Sequence, residues 1–260
     1  MLKKLLSLGL VLMLIAGCSA KATADDSLKN VLDSGKLIVG FTEYPPMGFS
    51  ENGQYTGFDL DIAKEVCSRL GVEPVFQYID WDSKVMELNG KTIDVIWNGL
   101  TITADREKEI LFSKPYFNNR IVIMTLADKT TNSIADLAGL KVGVEMASSG
   151  QQALEGSTVF SSLKEMVKFS TITEAVLDLR AGNIDAIVAD EIFARYAISK
   201  DATAFRVASE VFSSENYGIG FRMEDKALRD KVDEIIDAMV ADGTAAEISI
   251  KWFGEDLLTR

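Results

Sequence analysis

Apolar, β-rich runs and helical segments alternate along nearly the whole of this 260-residue chain, and the alternation starts afresh near residue 130. Strands are expected at Leu37–Phe41, Val75–Ile79, Ile93–Trp97, Ile121–Leu126, Lys141–Val144, Val167–Phe169, Asp185–Ala189 and Gly218–Phe221. Between them, helices are expected at Phe58–Leu70, Ser83–Asn89, Ala104–Ile110, Gly150–Leu154, Thr173–Ala181, Glu191–Ser199, Lys226–Ala241 and Ala245–Trp252. Thr171-x-x-Glu174 and Thr244-x-x-Glu247 have capping-box spacing, and Gly182 and Gly243 stand where helices end in a left-handed residue. Strands separated by helices imply parallel sheets with helices on both faces. The restart is visible where Ile134 to Leu140 leads into Lys141–Val144, much as Leu28 to Gly35 leads into Leu37–Gly40. Two α/β lobes follow, with a ligand site expected in the cleft between them, beyond the carboxyl ends of strands.

The segment Asn98-Gly99-Leu100-Thr101-Ile102-Thr103-Ala104-Asp105-Arg106 directly follows the apolar run Ile93 to Trp97 and reads as strand, turn and helix start. Such a junction suits an anionic group, because free backbone N–H groups and a guanidinium fork can converge on one carboxylate. The same residues also suit an ordinary turn in which Thr103 caps a helix and Arg106 is a solvated charge.

The first residues bear on where the chain works. Met1 to Lys4 is short and basic, Leu5 to Ile15 is almost wholly apolar, and Ala16 and Gly17 put small residues before Cys18. This is the pattern of a signal peptide over residues 1–17 with a lipoprotein-type cleavage site, leaving a lipidated Cys18 and a polar tether over 18–27. The apolar stretch is shorter than the roughly 20 residues a membrane-spanning helix requires, and no later segment approaches that length. Residues 1–17 carry Lys3 and Lys4 and no acid, so their removal takes the formal net charge from −12 to −14. So acidic a body argues against nucleic acid and against spreading on anionic lipid.

With Cys18 lipidated, Cys67 is left without a disulfide partner; it falls among Ile62, Ala63, Val66 and Leu70 at helical spacing, as a core thiol would. The chain has no His, which excludes Ser-His and Cys-His dyads and His-ligated metals. No metal, cofactor or catalytic residue is expected. Ser161-x-x-Lys164 has the spacing of a serine acylase dyad but lacks its companion motifs, and Gly218 and Gly220 make no nucleotide fingerprint.

Several further segments stand in a specific order: Val39-Gly40, Tyr44-Pro45-Pro46-Met47, Thr56-Gly57-Phe58-Asp59-Leu60-Asp61-Ile62-Ala63, Asp80-Trp81-Asp82, the Asp94 to Arg106 run, Phe112-Ser113-Lys114-Pro115-Tyr116, Lys141 to Val144, Ile184 to Asp190 and Ala241-Asp242-Gly243-Thr244. From about Leu37 to Gly254 the chain resembles the extracytoplasmic solute-binding proteins of family 3, which serve ABC importers for polar amino acids. The resemblance implies a two-lobed, periplasmic-binding-protein-like Venus flytrap of type II. Lobe 1 would comprise residues 28–117 and 217–260 and lobe 2 residues 118–216, joined by crossings at Tyr116–Ile121 and Ser213–Tyr217, with the C-terminal helices returning to lobe 1.

The resemblance also implies roles. Arg106 would hold a ligand α-carboxylate, since a guanidinium can donate two parallel hydrogen bonds where a lysine offers a point charge. Ser148 and Ser149 would donate N–H and hydroxyl groups to that carboxylate; simple N-capping is the other reading. Many members have Gln where this chain has Gly150, so a side-chain contact there is lost. Asp190, the Thr101 hydroxyl and a carbonyl of Asn98 or Gly99 would accept from the ammonium, although Asp190, at a strand end before a helix, also reads as an N-cap. Tyr44 and Trp81 would flank the ligand side chain: Pro45-Pro46 holds Tyr44 in an extended turn, and a Trp between two Asp residues is expected to stay partly exposed. Glu43, Asp82, Glu145 and Glu191 are candidates for reading the side-chain end, or surface charges.

The function implied is a lipid-anchored, monomeric receptor outside the cytoplasm that binds a free polar L-α-amino acid (arginine, lysine, histidine, glutamine or cystine) and delivers it to an ABC permease and its ATPase. A dehydratase-like enzyme on the same scaffold, with Glu43 or Glu145 as general acid, and a ligand-sensing module for a membrane partner are the alternatives.

Overall fold

Gly35 ends the first helix, α1 (Ser27–Ser34), in the left-handed region at φ 66° and turns the chain straight into β1 (Lys36–Phe41). The structure is a computed structural model and describes residues 25–260, so the expected signal peptide and Cys18 lie outside the described residues. A hairpin of β2 (Phe49–Glu51) and β3 (Gln54–Thr56) follows, turning at Asn52 and Gly53 with φ 53° and 76°, the pair of positive angles that an Asn-Gly turn supplies. Next come α2 (Phe58–Leu70), β4 (Glu73–Tyr78), α3 (Lys84–Asn89), β5 (Val95–Ile96) and β6 (Leu111–Phe112). The long β7 (Phe117–Leu126) precedes β8 (Lys141–Glu145), α4 (Ser149–Glu155), β9 (Glu165–Phe169), α5 (Ile172–Ala181), β10 (Ala186–Asp190) and α6 (Glu191–Lys200). The chain closes with β11 (Phe205–Tyr217), β12 (Gly220–Phe221), α7 (Lys226–Ala241) and α8 (Thr244–Phe253).

Two five-stranded sheets result, ordered β4-β1-β5-β12-β6 and β11-β7-β10-β8-β9. The expected parallel pairing holds at their centres, where β1 runs parallel to β4 and β5, and β8 to β9 and β10. It fails wherever a strand belongs to a segment entering or leaving a sheet across the waist: β12 is antiparallel to β5 and β6, and β7 is antiparallel to β10 and β11. Both sheets are therefore mixed. The two segments expected to cross between lobes, Tyr116–Ile121 and Ser213–Tyr217, pair with each other from Phe117↔Tyr217 to Ile121↔Ser213. The fold is the expected two-lobed α/β Venus flytrap with a two-crossing hinge.

The second sheet buries Ile121, Ile123, Val142, Val144, Ala186 and Val188 against Leu137 and Leu154. Residues of the first sheet, among them Leu37, Val39 and Val95, join a cluster in which α2 and α7 bury Leu60, Ile62, Val66, Val232 and Ile236. Each fully buried side chain of this size contributes about 1.5–3 kcal/mol. Cys67 is part of that core, and burial pushes its thiol up to about 12.

Three local expectations change. Ala104–Ile110 is a single 3-10 turn, Arg106–Lys108, because its charged run Arg106-Glu107-Lys108-Glu109 has no apolar stripe to bury. Thr171 and Glu174 do form a capping box, whereas Thr244 is the first residue of α8 and its hydroxyl donates to Asp242 at 2.7 Å. Strand β11 had no hydrophobic alternation to announce it; ladder bonds to β7 hold it, with register shifts either side of Val211.

Candidate functional site

Strands β1, β5, β8 and β10 all point their carboxyl ends toward one cleft between the sheets, where loop residues are free to vary in side chain. All nine residues expected to bind ligand line one cavity there, which the closed cleft leaves with little free volume: Tyr44, Trp81, Asn98, Gly99, Thr101, Arg106, Ser148, Ser149 and Asp190. Thr42 and Glu145 complete the wall. Of the four acids considered for the side-chain end, Glu145 alone is among these lining residues. Glu43 accepts from the Ser50 N–H at 3.1 Å, Asp82 lines a neighbouring depression, and Glu191 is paired with Arg120 and Arg195.

Arg106 is held in place by carbonyl oxygens. Its Nη1 donates to Thr101 O at 2.9 Å and its Nη2 to Ala147 O at 3.1 Å, the latter across the cleft. The turn that positions it depends on Gly99, whose φ of 60° lies in the left-handed region, and an added Cβ would come within 3.1 Å of the Tyr44 ring. Asp59, fully buried at the start of α2, anchors this turn: its Oδ2 accepts the Gly99 N–H at 2.6 Å and its Oδ1 the Tyr116 hydroxyl at 2.8 Å. Burial pushes the Asp59 carboxyl up to about 7. Neither Asp59 nor its partner Tyr116 was read as part of the site, although both lie in the sequence segments that carried the resemblance.

Asp190 occupies the N-cap position of α6, yet its side chain makes no capping bond. Its Oδ1 instead accepts from Asn119 Nδ2 at 2.5 Å and the Tyr217 hydroxyl at 2.7 Å, and Oδ2 takes no hydrogen bond among the described residues. The capping reading therefore fails for Asp190. It holds for Ser148, whose Oγ accepts the Gln151 N–H at 3.0 Å. Ser149 bonds the Thr101 hydroxyl across the cleft at 3.2 Å, and Thr101 also donates to Glu215 at 2.9 Å. Burial pushes the Asp190 carboxyl up against the pull of the Tyr hydroxyls and Arg106, and burial with the Asp190 charge pushes Glu145 up to about 8.

The aromatic residues are more enclosed than expected. Trp81 is 5% exposed rather than partly open, because it sits in the 3-10 turn Trp81–Ser83 under Lys84, whose Nζ is 4.7 Å from the ring centre. Tyr44 stacks on Phe193 of α6 at 5.7 Å and 22°, and its buried hydroxyl lies toward Asp190 and Tyr217 without closing a hydrogen bond of normal geometry among the described residues. With Lys84 Nζ bonding Ala147 O at 3.2 Å and Gln152 bonding Asp105 at 3.1 Å, these contacts hold the cleft closed. Lys84 carried no sequence signal; its stem looks like any helix-start lysine. Among the described residues no helix is long and apolar enough to cross a membrane, and no group of His, Cys, Asp and Glu could hold a metal.

The chain is 34% identical to the L-cystine-binding protein TcyJ of Escherichia coli K12 over 253 residues, covering 94% of this chain and 92% of that protein. An ABC uptake transporter substrate-binding protein of Streptococcus pneumoniae, with bound histidine, superposes with a TM-score of 0.87 at 32% identity, covering 91% of this chain and 99% of that one. The ancestral amino acid-binding protein AncCDT-1, a precursor of cyclohexadienyl dehydratase, superposes with a TM-score of 0.81 at 31% identity over 87% of this chain and 99% of that one. Residues 37–255, which span both sheets save Lys36 and hold every cleft residue described above, match the bacterial extracellular solute-binding proteins, family 3, and the chain belongs to that family.

Proposed function

We propose that this protein is an extracytoplasmic receptor, tethered through a lipidated Cys18, that binds a free polar L-α-amino acid as a monomer and hands it to an ABC permease with a separate ATPase. Lobe 1 comprises residues 28–117 and 217–260, and lobe 2 residues 118–216. Arg106 holds the ligand carboxylate with the N–H groups at Ser148 and Ser149; Asp190 Oδ2, the Thr101 hydroxyl and a carbonyl at Asn98 or Gly99 accept from the ammonium; Tyr44 and Trp81 flank the side chain. The observation that carries this reading is the convergence of Arg106, from beyond β5, and Asp190, from the end of β10, on one cavity, with one carboxylate oxygen of Asp190 uncommitted. An amino acid spans that pair of opposite charges, so its binding favours the closed arrangement of the lobes.

A thermal-shift screen of the purified protein against the common amino acids and cystine tests the reading. A ligand present at a hundred times its dissociation constant adds about 2.7 kcal/mol of stability; no shift with any of them contradicts the proposal. A catalytic role needs a general acid over the ligand, and Glu145, with its carboxyl raised to about 8, has the acidity for it. The receptor reading expects the bound amino acid to be recovered unchanged after prolonged incubation, and a dehydrated or deaminated product in the eluate favours the enzyme.

A further inference from the structure

Lys84, beneath Trp81 at the edge of the cleft, and Glu145, in its wall, are buried titratable side chains that the clamp on an α-amino acid leaves unused. Lys84 opens α3 on the lobe 1 side and is 4% exposed; its Nζ donates to Trp81 O at 2.8 Å and to Ala147 O at 3.2 Å. Glu145 ends β8 on the other side and is also 4% exposed. Its carboxylate accepts a single hydrogen bond among the described residues, from the Ile172 N–H at 3.3 Å. Lys84 has one N–H left to donate, Glu145 has one carboxyl oxygen without a partner among the described residues, and burial disfavours the charged form of both until an opposite charge enters beside them.

Their placement repeats that of the clamp. Arg106 and Lys84 come from one side of the cleft, Asp190 and Glu145 from the other. Arg106 Nη2 and Lys84 Nζ lie 3.1 and 3.2 Å from the same Ala147 oxygen, so they are no more than about 6.3 Å apart. Each pair is one cation facing one acid, and the group that satisfies such a pair with full charge on both sides is an α-ammonium carboxylate.

The geometry points to a ligand with a zwitterionic head at each end, a bis(α-amino acid) such as cystine, whose distal carboxylate is held by Lys84 and distal ammonium by Glu145. This inference rests on the receptor reading above and narrows its ligand. A guanidinium or ammonium side chain would satisfy Glu145 but meet the two clustered cations. A carboxamide would reach both groups but brings no countercharge to either, so neither ion pair would form. The cleft also has room to extend: a depression lined by Asp80, Asp82, Met146 and Ser170 adjoins it through the chain neighbours of Trp81 and Glu145.

Calorimetric titration with five probes tests the assignment: L-cystine; S-(2-aminoethylthio)-L-cysteine, which lacks the distal carboxylate; S-(2-carboxyethylthio)-L-cysteine, which lacks the distal ammonium; L-arginine; and L-glutamine. The wild-type protein is expected to bind cystine tightest and each truncated probe about tenfold or more weaker. Lys84→Gln should abolish the discrimination against the probe without the carboxylate, and Glu145→Gln that against the probe without the ammonium. Tighter binding of arginine or glutamine than cystine, or truncated probes within about threefold of cystine, overturns the distal assignment while leaving the receptor reading intact. If none of the amino acids binds, both fall. The truncated probes decide the matter on wild-type protein even where a variant fails to fold.

Discussion

The two sides of the cleft present opposite kinds of group, bases on one and acids on the other, and secure them by different means. On the lobe 1 side, Arg106 and Lys84 donate to backbone carbonyl oxygens of Thr101, Trp81 and Ala147. Across the cleft, Asp190 is held by side chains, Asn119 and Tyr217, and Glu145 by one backbone N–H. Backbone anchors are insensitive to most substitutions, so the cations are fixed by the local carbonyls of Thr101 and Trp81 and, while the cleft is closed, by Ala147 O across it. The acids depend on neighbours that substitution can remove, and burial raises the affinity of both for protons. Geometry should therefore dominate binding on the cation side, and protonation state on the acid side.

The largest effect should come from the cation side. Arg106→Lys preserves charge but loses the two-pronged fork, and should weaken the amino acid identified by the thermal-shift screen by about 2–5 kcal/mol, with Arg106→Ala weaker still. Wild-type affinity in Arg106→Lys, measured calorimetrically on protein with an unchanged circular dichroism spectrum, would mean that the fork does not hold the carboxylate. A smaller loss, about 1–3 kcal/mol, is expected for Trp81→Ala, together with loss of the ligand-induced change in tryptophan fluorescence. An unchanged affinity would make Trp81 ordinary packing.

The acid side should respond to pH. The folded protein holds the Glu145 proton up to about pH 8, whereas the unfolded chain releases it near the ordinary carboxylate value of about 4.3. Between those values the folded state binds more protons, so this group lowers stability progressively as pH rises, and its cost is complete above about pH 8. Glu145→Gln, which cannot titrate, should gain melting temperature relative to wild type at pH 8.5 and gain little at pH 4.5. An equal difference at both pH values would show that Glu145 is not a desolvated carboxyl. Smallest is a control remote from both sides: Thr171→Ala removes the capping box of α5 and should cost about 1 kcal/mol of stability while leaving affinity unchanged.

What could be read without coordinates follows the same division. Asp190 was legible because it ends an apolar strand, and Thr101 and Arg106 because they follow the apolar run to Trp97 through an Asn-Gly turn; the roles of all three came from the family resemblance. Helices α2 and α7 were legible from their apolar spacing and match to the residue. The β2–β3 hairpin went unread although Asn52-Gly53 is a strong turn signal, since strands of three residues leave no periodicity to detect. Strand β11 is polar along much of its length, and its pairing with β7 is written in backbone bonds rather than side chains. Lys84 and Asn119 enter the site through tertiary placement: nothing in their neighbours tells a buried lysine under a cleft from one on a surface. The mixed sense of the sheets likewise depends on how the chain crosses the waist, which local patterning does not encode.

The claim on which the rest depends is that opposite sides of the cleft hold opposite ends of one amino acid. Asp190→Asn tests it most directly, because it keeps the side chain's size and much of its hydrogen bonding while removing the countercharge for an ammonium. Calorimetric titration of wild-type and Asp190→Asn protein should be run with the amino acid found in the screen and with its deaminated analogue. A loss of affinity for the amino acid of about tenfold or more, with the deaminated analogue little changed, is the predicted result; equal weakening of both ligands, or of neither, would contradict it.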